Sequence, residues 1–315
     1  MNQGDLAPAP GGPDAGSLAI PLLPGEPSPL DSSPQGWARW ASLAISAAVL
    51  VAIGLAFRRL DFREVEALFP TSIAFWVVFV ACYFSPAIGD WLVYRRLWKI
   101  PPSGAAALIR KLVSNELLLG YSGEVYFYTW ARRRAEVAAA PFGAIKDVAI
   151  LSAVAGNGLT LVLVVLVWPL IPRFALGGSA VDWSVLAVAL MSFAIVIFQR
   201  RLLSLPAREL RIIFLIHLVR ICITTLLGML LWHLALPSVA LGMWAVLAAF
   251  KLLLSRLPLL PNKDMAFAGL AVVLVGRGVD VSAVVAMVAT LMLAAHLLVG
   301  SLLAGGEFTY AELLR

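Results

Sequence analysis

Residues 212–236 carry a single formal charge, Arg220. The run is longer than the ~20 apolar residues with which a helix crosses a bilayer. Nothing else in the sequence restricts the fold as strongly. In hydrocarbon every backbone N–H and C=O must find an internal partner, so such a run folds as a helix or as part of a closed barrel. Barrel strands would show alternating hydropathy over about ten residues, and that alternation is absent from the sequence. The expected fold is therefore all-α, a polytopic helical membrane protein. Apolar residues make up 61% of the chain and charged ones 13%, against about a quarter charged in a soluble domain.

Similar runs occupy residues 37–57, 71–94, 146–171, 183–198, 239–254 and 281–303, with a shorter one at 265–276. They predict about eight crossings, with one or two re-entrant or broken helices. Three regions follow: a Pro/Gly-rich disordered tail (1–36), a helical transmembrane domain (37–305) and a short C-terminal tail (306–315). The first 36 residues hold eight of the nineteen prolines and no Lys or Arg. Such a segment buries too little apolar surface to order itself, and it lacks the basic region of a signal peptide. With the N-terminus inside, fifteen Lys and Arg fall on the cytoplasmic side and five outside. Both termini are therefore expected to be cytoplasmic. The net charge of +6 reads as basic cytoplasmic loops rather than a nucleic-acid surface.

Ionisable groups at membrane depth cost roughly 2.5–3.5 kcal/mol each, so they mark function. Residues 113–134 hold Asn115, Glu116, Gly120, Gly123 and Glu124, then five aromatics before Arg132, Arg133 and Arg134. Two readings stay open: half-helices meeting at depth around a cavity, or an amphipathic helix lying on the inner surface. The second cluster is "LPLLPNKD", residues 257–264. Pro258 and Pro261 forbid a continuous helix there. It is either a break dipping into the membrane or a cytoplasmic loop, with Asp264 placed to cap a helix starting at Met265. Lys146 and Asp147 open the span at 146–171, and Asn157 lies between Gly156 and Gly158. His217 and Arg220, three apart, share a helix face. Lys251 sits near enough to a span end to snorkel. His233 and His296 read as core histidines, and Cys82 and Cys222 as packing residues. The expected headgroup-binding set is Glu116, Glu124, Lys146, Asp147, Arg220, Lys251, Lys263 and Asp264. No metal-ligand spacing, nucleophile elbow or P-loop is present, so no catalytic residue, metal or cofactor is expected.

At the two polar clusters the chain resembles the transmembrane region of lysylphosphatidylglycerol synthases, the flippase part of the bacterial multiple peptide resistance factor. The likeness rests on Gly123-Glu124 followed by Arg132 to Arg134, and on the Pro261-Asn262-Lys263-Asp264 turn. Phe127 stands where that family has an Arg, and Ala268 where it has a Glu, so the chain is similar to a divergent branch without the aminoacyl-transferring domain. The resemblance implies a bacterial inner-membrane protein that binds lipid headgroups and moves them between leaflets. Its expected partners are membrane lipids, with a second copy or a lipid-synthesis protein left open. Two alternatives stand beside it. One is a membrane-embedded enzyme using Glu116, Glu124 or Asp264 as acid or base. The other is an accessory subunit of lipid or glycan assembly.

Overall fold

The computed structural model describes residues 70–118, 121–133, 141–174, 203–256, 262–275 and 280–313. The expected spans at 37–57 and 183–198 and the N-terminal tail lie outside the described residues. Among the described residues all regular structure is helical. The α-helices are α1 (Ile73–Trp98), α2 (Ser103–Leu117), α3 (Ser122–Arg132), α4 (Pro141–Val167), α5 (Ala207–Ala235), α6 (Leu241–Ser255), α7 (Lys263–Val275) and α8 (Asp280–Leu313). A 3-10 helix, Trp168–Phe174, extends α4 through Pro169 and Pro172, whose missing N–H groups suit the tighter turn. Helix α8 runs to Leu313, so residues 306–313 continue its helix.

Four segments are long and apolar enough to cross a membrane: Ile73–Trp98, Pro141–Ile171, Ala207–Ala235 and Asp280–Gly305. Their surfaces fit that solvent. Many large exposed side chains are aliphatic, such as Val77 and Val80 on α1, Val165 on α4, Leu215 and Leu226 on α5, and Leu302 on α8. The buried interior holds Asp90, Lys111, Asp147 and His217. A water-soluble protein seldom combines so aliphatic a surface with buried charges. Helix α5 lies in the middle, packed against α1, α4, α6 and α8. Helix α1 runs antiparallel to it, joined at their ends by Arg96 and Glu209 (2.7 and 3.0 Å) and further along by Ser85 and Thr224 (2.5 Å).

Helices α2 and α3 form an antiparallel hairpin. Ser122 Oγ donates to the Ser114 carbonyl (2.8 Å), the Gly123 N–H to Asn115 Oδ1 (2.7 Å), and Arg110 pairs with Tyr126 further from the tip (3.4 Å). A Cβ at Gly123 would collide with the Lys111 carbonyl, so only glycine lets the two backbones approach this closely. Tyr121, at the tip, takes a left-handed φ of 74°. At 1.5 Å per residue the 15 residues of α2 span about 22 Å, short of a ~30 Å hydrocarbon core. The aromatics of α3 turn inward: Phe127 is fully buried and packs on Tyr94 and Trp98. The region is thus two helices interrupted between Leu117 and Ser122 rather than one continuous helix.

Helices α6 and α7 form a second hairpin. Lys251 pairs with Asp264 (2.8 Å), and Lys263 reaches the Ser255 carbonyl (2.9 Å). Arg256, at the end of α6, lies against Gly156 in the middle of α4. The run at 239–254, expected as a crossing, is a 15-residue helix that stops part-way and turns back. The two hairpins enter from opposite ends of the bundle and meet tip to tip, where the Asn262 N–H donates to the Glu116 carbonyl (2.9 Å).

Candidate functional site

Three helices pass from one apolar core to another, and the polar residues sit at the changeover. On α1, Phe75 and Phe79 belong to the first core and Val93 and Tyr94 to the second. On α4, Val164 and Val167 face Val148 and Leu151 in the same way, and on α5 Leu231 and Trp232 are opposed by Ile213. Between them lie Asp90, Ser152, His217 and Arg220. Of these, Asp90, Arg220 and Ser152 pair with one another.

Asp90 accepts from Lys111 Nζ (2.5 Å) through one oxygen and from Arg220 Nη1 (3.2 Å) through the other. Lys111 Nζ also lies 3.1 Å from Glu124 Oε1, and Arg220 Nη2 donates to Ser152 Oγ (2.9 Å). Two carboxylates and two cations alternate, so the network is formally neutral. A side chain at Gly89 would collide with the Arg220 stem, which fixes where the guanidinium can sit. Desolvating such charges is costly, and only complete pairing offsets it.

Two cavities flank the tip junction. One of about 200 Å³ opens onto Asp90, Lys111, Glu124, Ser152 and His217. The other, of about 290 Å³, lies between α1, α5, α6 and α7, with Trp232, Lys251, Arg256, Lys263, Asp264 and His296 in its wall. Pro86, Leu112, Glu116 and Arg220 line both. In the second cavity Lys251 and Asp264 neutralise each other. Arg256 is held by Ser255 Oγ (2.8 and 3.1 Å) and Lys263 by the Ser255 carbonyl. Neither cation has a carboxylate within ion-pair distance among the described residues, and Glu116 has no cation.

Of the residues expected from sequence, Glu116, Glu124, Arg220, Lys251, Lys263 and Asp264 come together around these cavities. Lys146 and Asp147 do not line them. Asp147, fully buried, accepts from the backbone N–H groups of Ser204 and Leu205 (2.6 and 2.7 Å), while Lys146 donates to Ser204 Oγ (3.0 Å). That pair anchors the approach to α5. Asp264 does not cap α7: the helix begins one residue before it, and Asn262 Oδ1 accepts the Met265 N–H (3.2 Å). Asp264 is thereby free to bind Lys251, which turns inward toward it instead of snorkelling. His296 packs on Tyr83 (4.9 Å between centroids), and both cysteines are free thiols. Asp90 and Lys111 escaped the sequence reading. An acid inside an otherwise apolar span is the signal that identifies Asp90.

No family model, curated protein or solved structure matches the chain.

Proposed function

We propose that the protein binds lipid headgroups between its hairpin tips and moves a phospholipid or lipid-linked substrate from one leaflet to the other. The observation that carries this reading is the meeting of two opposed short hairpins beside two charged cavities, inside a bundle with an aliphatic exterior. A headgroup crossing the bilayer needs polar surroundings at mid-depth, whereas its acyl chains need none. Irregular backbone at depth is tolerated where protein or a polar cavity surrounds it, and half-helices meeting at such a cavity are a general transporter device. The charge asymmetry of the sequence favours cytoplasmic termini, and a bacterial inner membrane is what the family resemblance implies. The likeness of the Gly123-Glu124 and Pro261-Asn262 segments to the lysylphosphatidylglycerol synthase transmembrane region supports the same reading.

The test is leaflet exchange. Purified protein in vesicles holding a fluorescent phospholipid should raise the fraction reached by an impermeant quencher well above that in protein-free vesicles. Arg256→Gln should slow the exchange. A wild-type rate equal to that of empty vesicles would overturn the proposal, and chemically altered lipid would point to an enzyme instead.

A further inference from the structure

The cavities differ in what they leave unsatisfied. In the larger one the groups without an ion-pair partner among the described residues are two cations, Arg256 and Lys263, and one carboxylate, Glu116, and the buried Nδ1 of His296 also has no hydrogen-bond partner there. Two adjacent cations held only by neutral oxygens of Ser255 are a complement for a phosphate, and the planar guanidinium of Arg256 suits its oxygens. In the smaller cavity the unsatisfied atoms are neutral or acceptors. The Tyr94 hydroxyl, both ring nitrogens of His217 and Glu124 Oε2 are buried and have no hydrogen-bond partner among the described residues, and all three residues line that cavity. Buried polar atoms are nearly always paired, so a cluster of orphans around one space indicates what the space holds.

The set is mixed in kind. Glu124 Oε2 only accepts, the Tyr94 hydroxyl donates and accepts, and an uncharged imidazole offers one of each. An ammonium group only donates and leaves the donors unmet. Hydroxyls do both, and several are needed to reach three residues on three helices. The cavity exceeds several times the ~30 Å³ share of one water at about 200 Å³. Resting on the lipid-translocation reading, we infer that the headgroup is a phosphate joined to a polyhydroxylated ring, a sugar or a cyclitol. The phosphate lies at Arg256 and Lys263, and the ring at Tyr94, His217 and Glu124. Glu116 and Arg220, common to both cavities, face the link between them.

Binding of four probes to the detergent-solubilised protein, followed by thermal shift, tests this assignment. They are dioctanoyl phosphatidylinositol, dioctanoyl phosphatidylethanolamine, dioctanoyl phosphatidic acid and free inositol 1-phosphate. Phosphatidylinositol should bind about tenfold or more tighter than each of the others. Tyr94→Phe removes an unpartnered hydroxyl, so it should leave unfolding unchanged while weakening phosphatidylinositol about fivefold and the other lipids not at all. His217→Leu provides a second variant with the same expectation. Arg256→Gln should weaken all three lipids together. Equal binding of the amine lipid or of phosphatidic acid overturns the inference, as does a Tyr94→Phe protein with unaltered preference. Inositol 1-phosphate binding as tightly as the lipid would make the ligand a soluble sugar phosphate and also overturn it. Leaflet exchange without headgroup preference defeats this inference alone. Polyol-selective binding without exchange in vesicles defeats the translocation reading alone.

Discussion

Arg256 is positioned by what Gly156 lacks. A methyl group there would collide with the end of the guanidinium, a flexible tip that can swing aside at little cost. Gly156→Ala should therefore leave stability almost unchanged, since alanine also favours the helix by up to about 1 kcal/mol. Affinity for phosphate-bearing lipids should fall by about 2 kcal/mol, the worth of a charged hydrogen bond, as measured by lipid titration. Asp90 behaves oppositely because it is shared. Asp90→Asn leaves the Lys111 ammonium with Glu124 alone and the Arg220 guanidinium with Ser152. Stranding buried charge in this way costs about 3–5 kcal/mol. Denaturation of the purified protein should show that loss, and Asp90→Asn combined with Lys111→Met should cost less than the sum of the two single changes.

Among the described residues, each short hairpin carries one non-glycine residue of left-handed backbone at its tip. Tyr121 holds a left-handed conformation at φ 74° with its ring 54% exposed. Glycine adopts that conformation freely, so Tyr121→Gly should stabilise the protein by about 1 kcal/mol, read as a raised melting temperature. Asn262, at φ 46°, joins the tips and caps α7. A Cys at that position, in a background without Cys82 and Cys222, should react with an impermeant thiol reagent far more slowly than a Cys at exposed Arg211. Equal rates would show that the tip is open to bulk water. The four long helices were legible in the sequence because an uninterrupted apolar run has one solution in hydrocarbon. The hairpins were legible only as paired alternatives. A short apolar helix looks like a trimmed span, and a polar tip looks like a loop, until a distant segment is shown to cover it. Lys111 escaped notice for the same reason: its partner Asp90 comes from another helix, and spacing along the chain carries no record of that contact. Asn262 and Asp264 exchanged roles because either side chain can cap a helix, and Lys251 decides which one is free.

Across the whole molecule, the larger cavity has a wall that can be filled without disturbing anything else. Gly228 of α5 lines it, and a Cβ built there meets nothing within 4 Å. Gly228→Phe should fold with wild-type stability yet slow lipid exchange severalfold in vesicles; unchanged exchange would place the route elsewhere. The joining of the two tips also bears on the order in which the protein can be built. The outer face of α2, at Val113 and Leu117, is covered by Leu293 and Leu297 of α8 and by Met265 of α7. The Glu116 carbonyl is met by Asn262. The cover of that outer face is thus translated long after the hairpin, although the α1 groups that hold its inner side, Tyr94 and Asp90, precede it. During synthesis the α2–α3 segment must wait, its apolar face and tip carbonyl held by lipid, water or an insertion factor, until α7 and α8 arrive. Biogenesis ends with a late docking step, and a nascent chain arrested before α7 should expose α2–α3 to protease while α1, α4 and α5 stay protected.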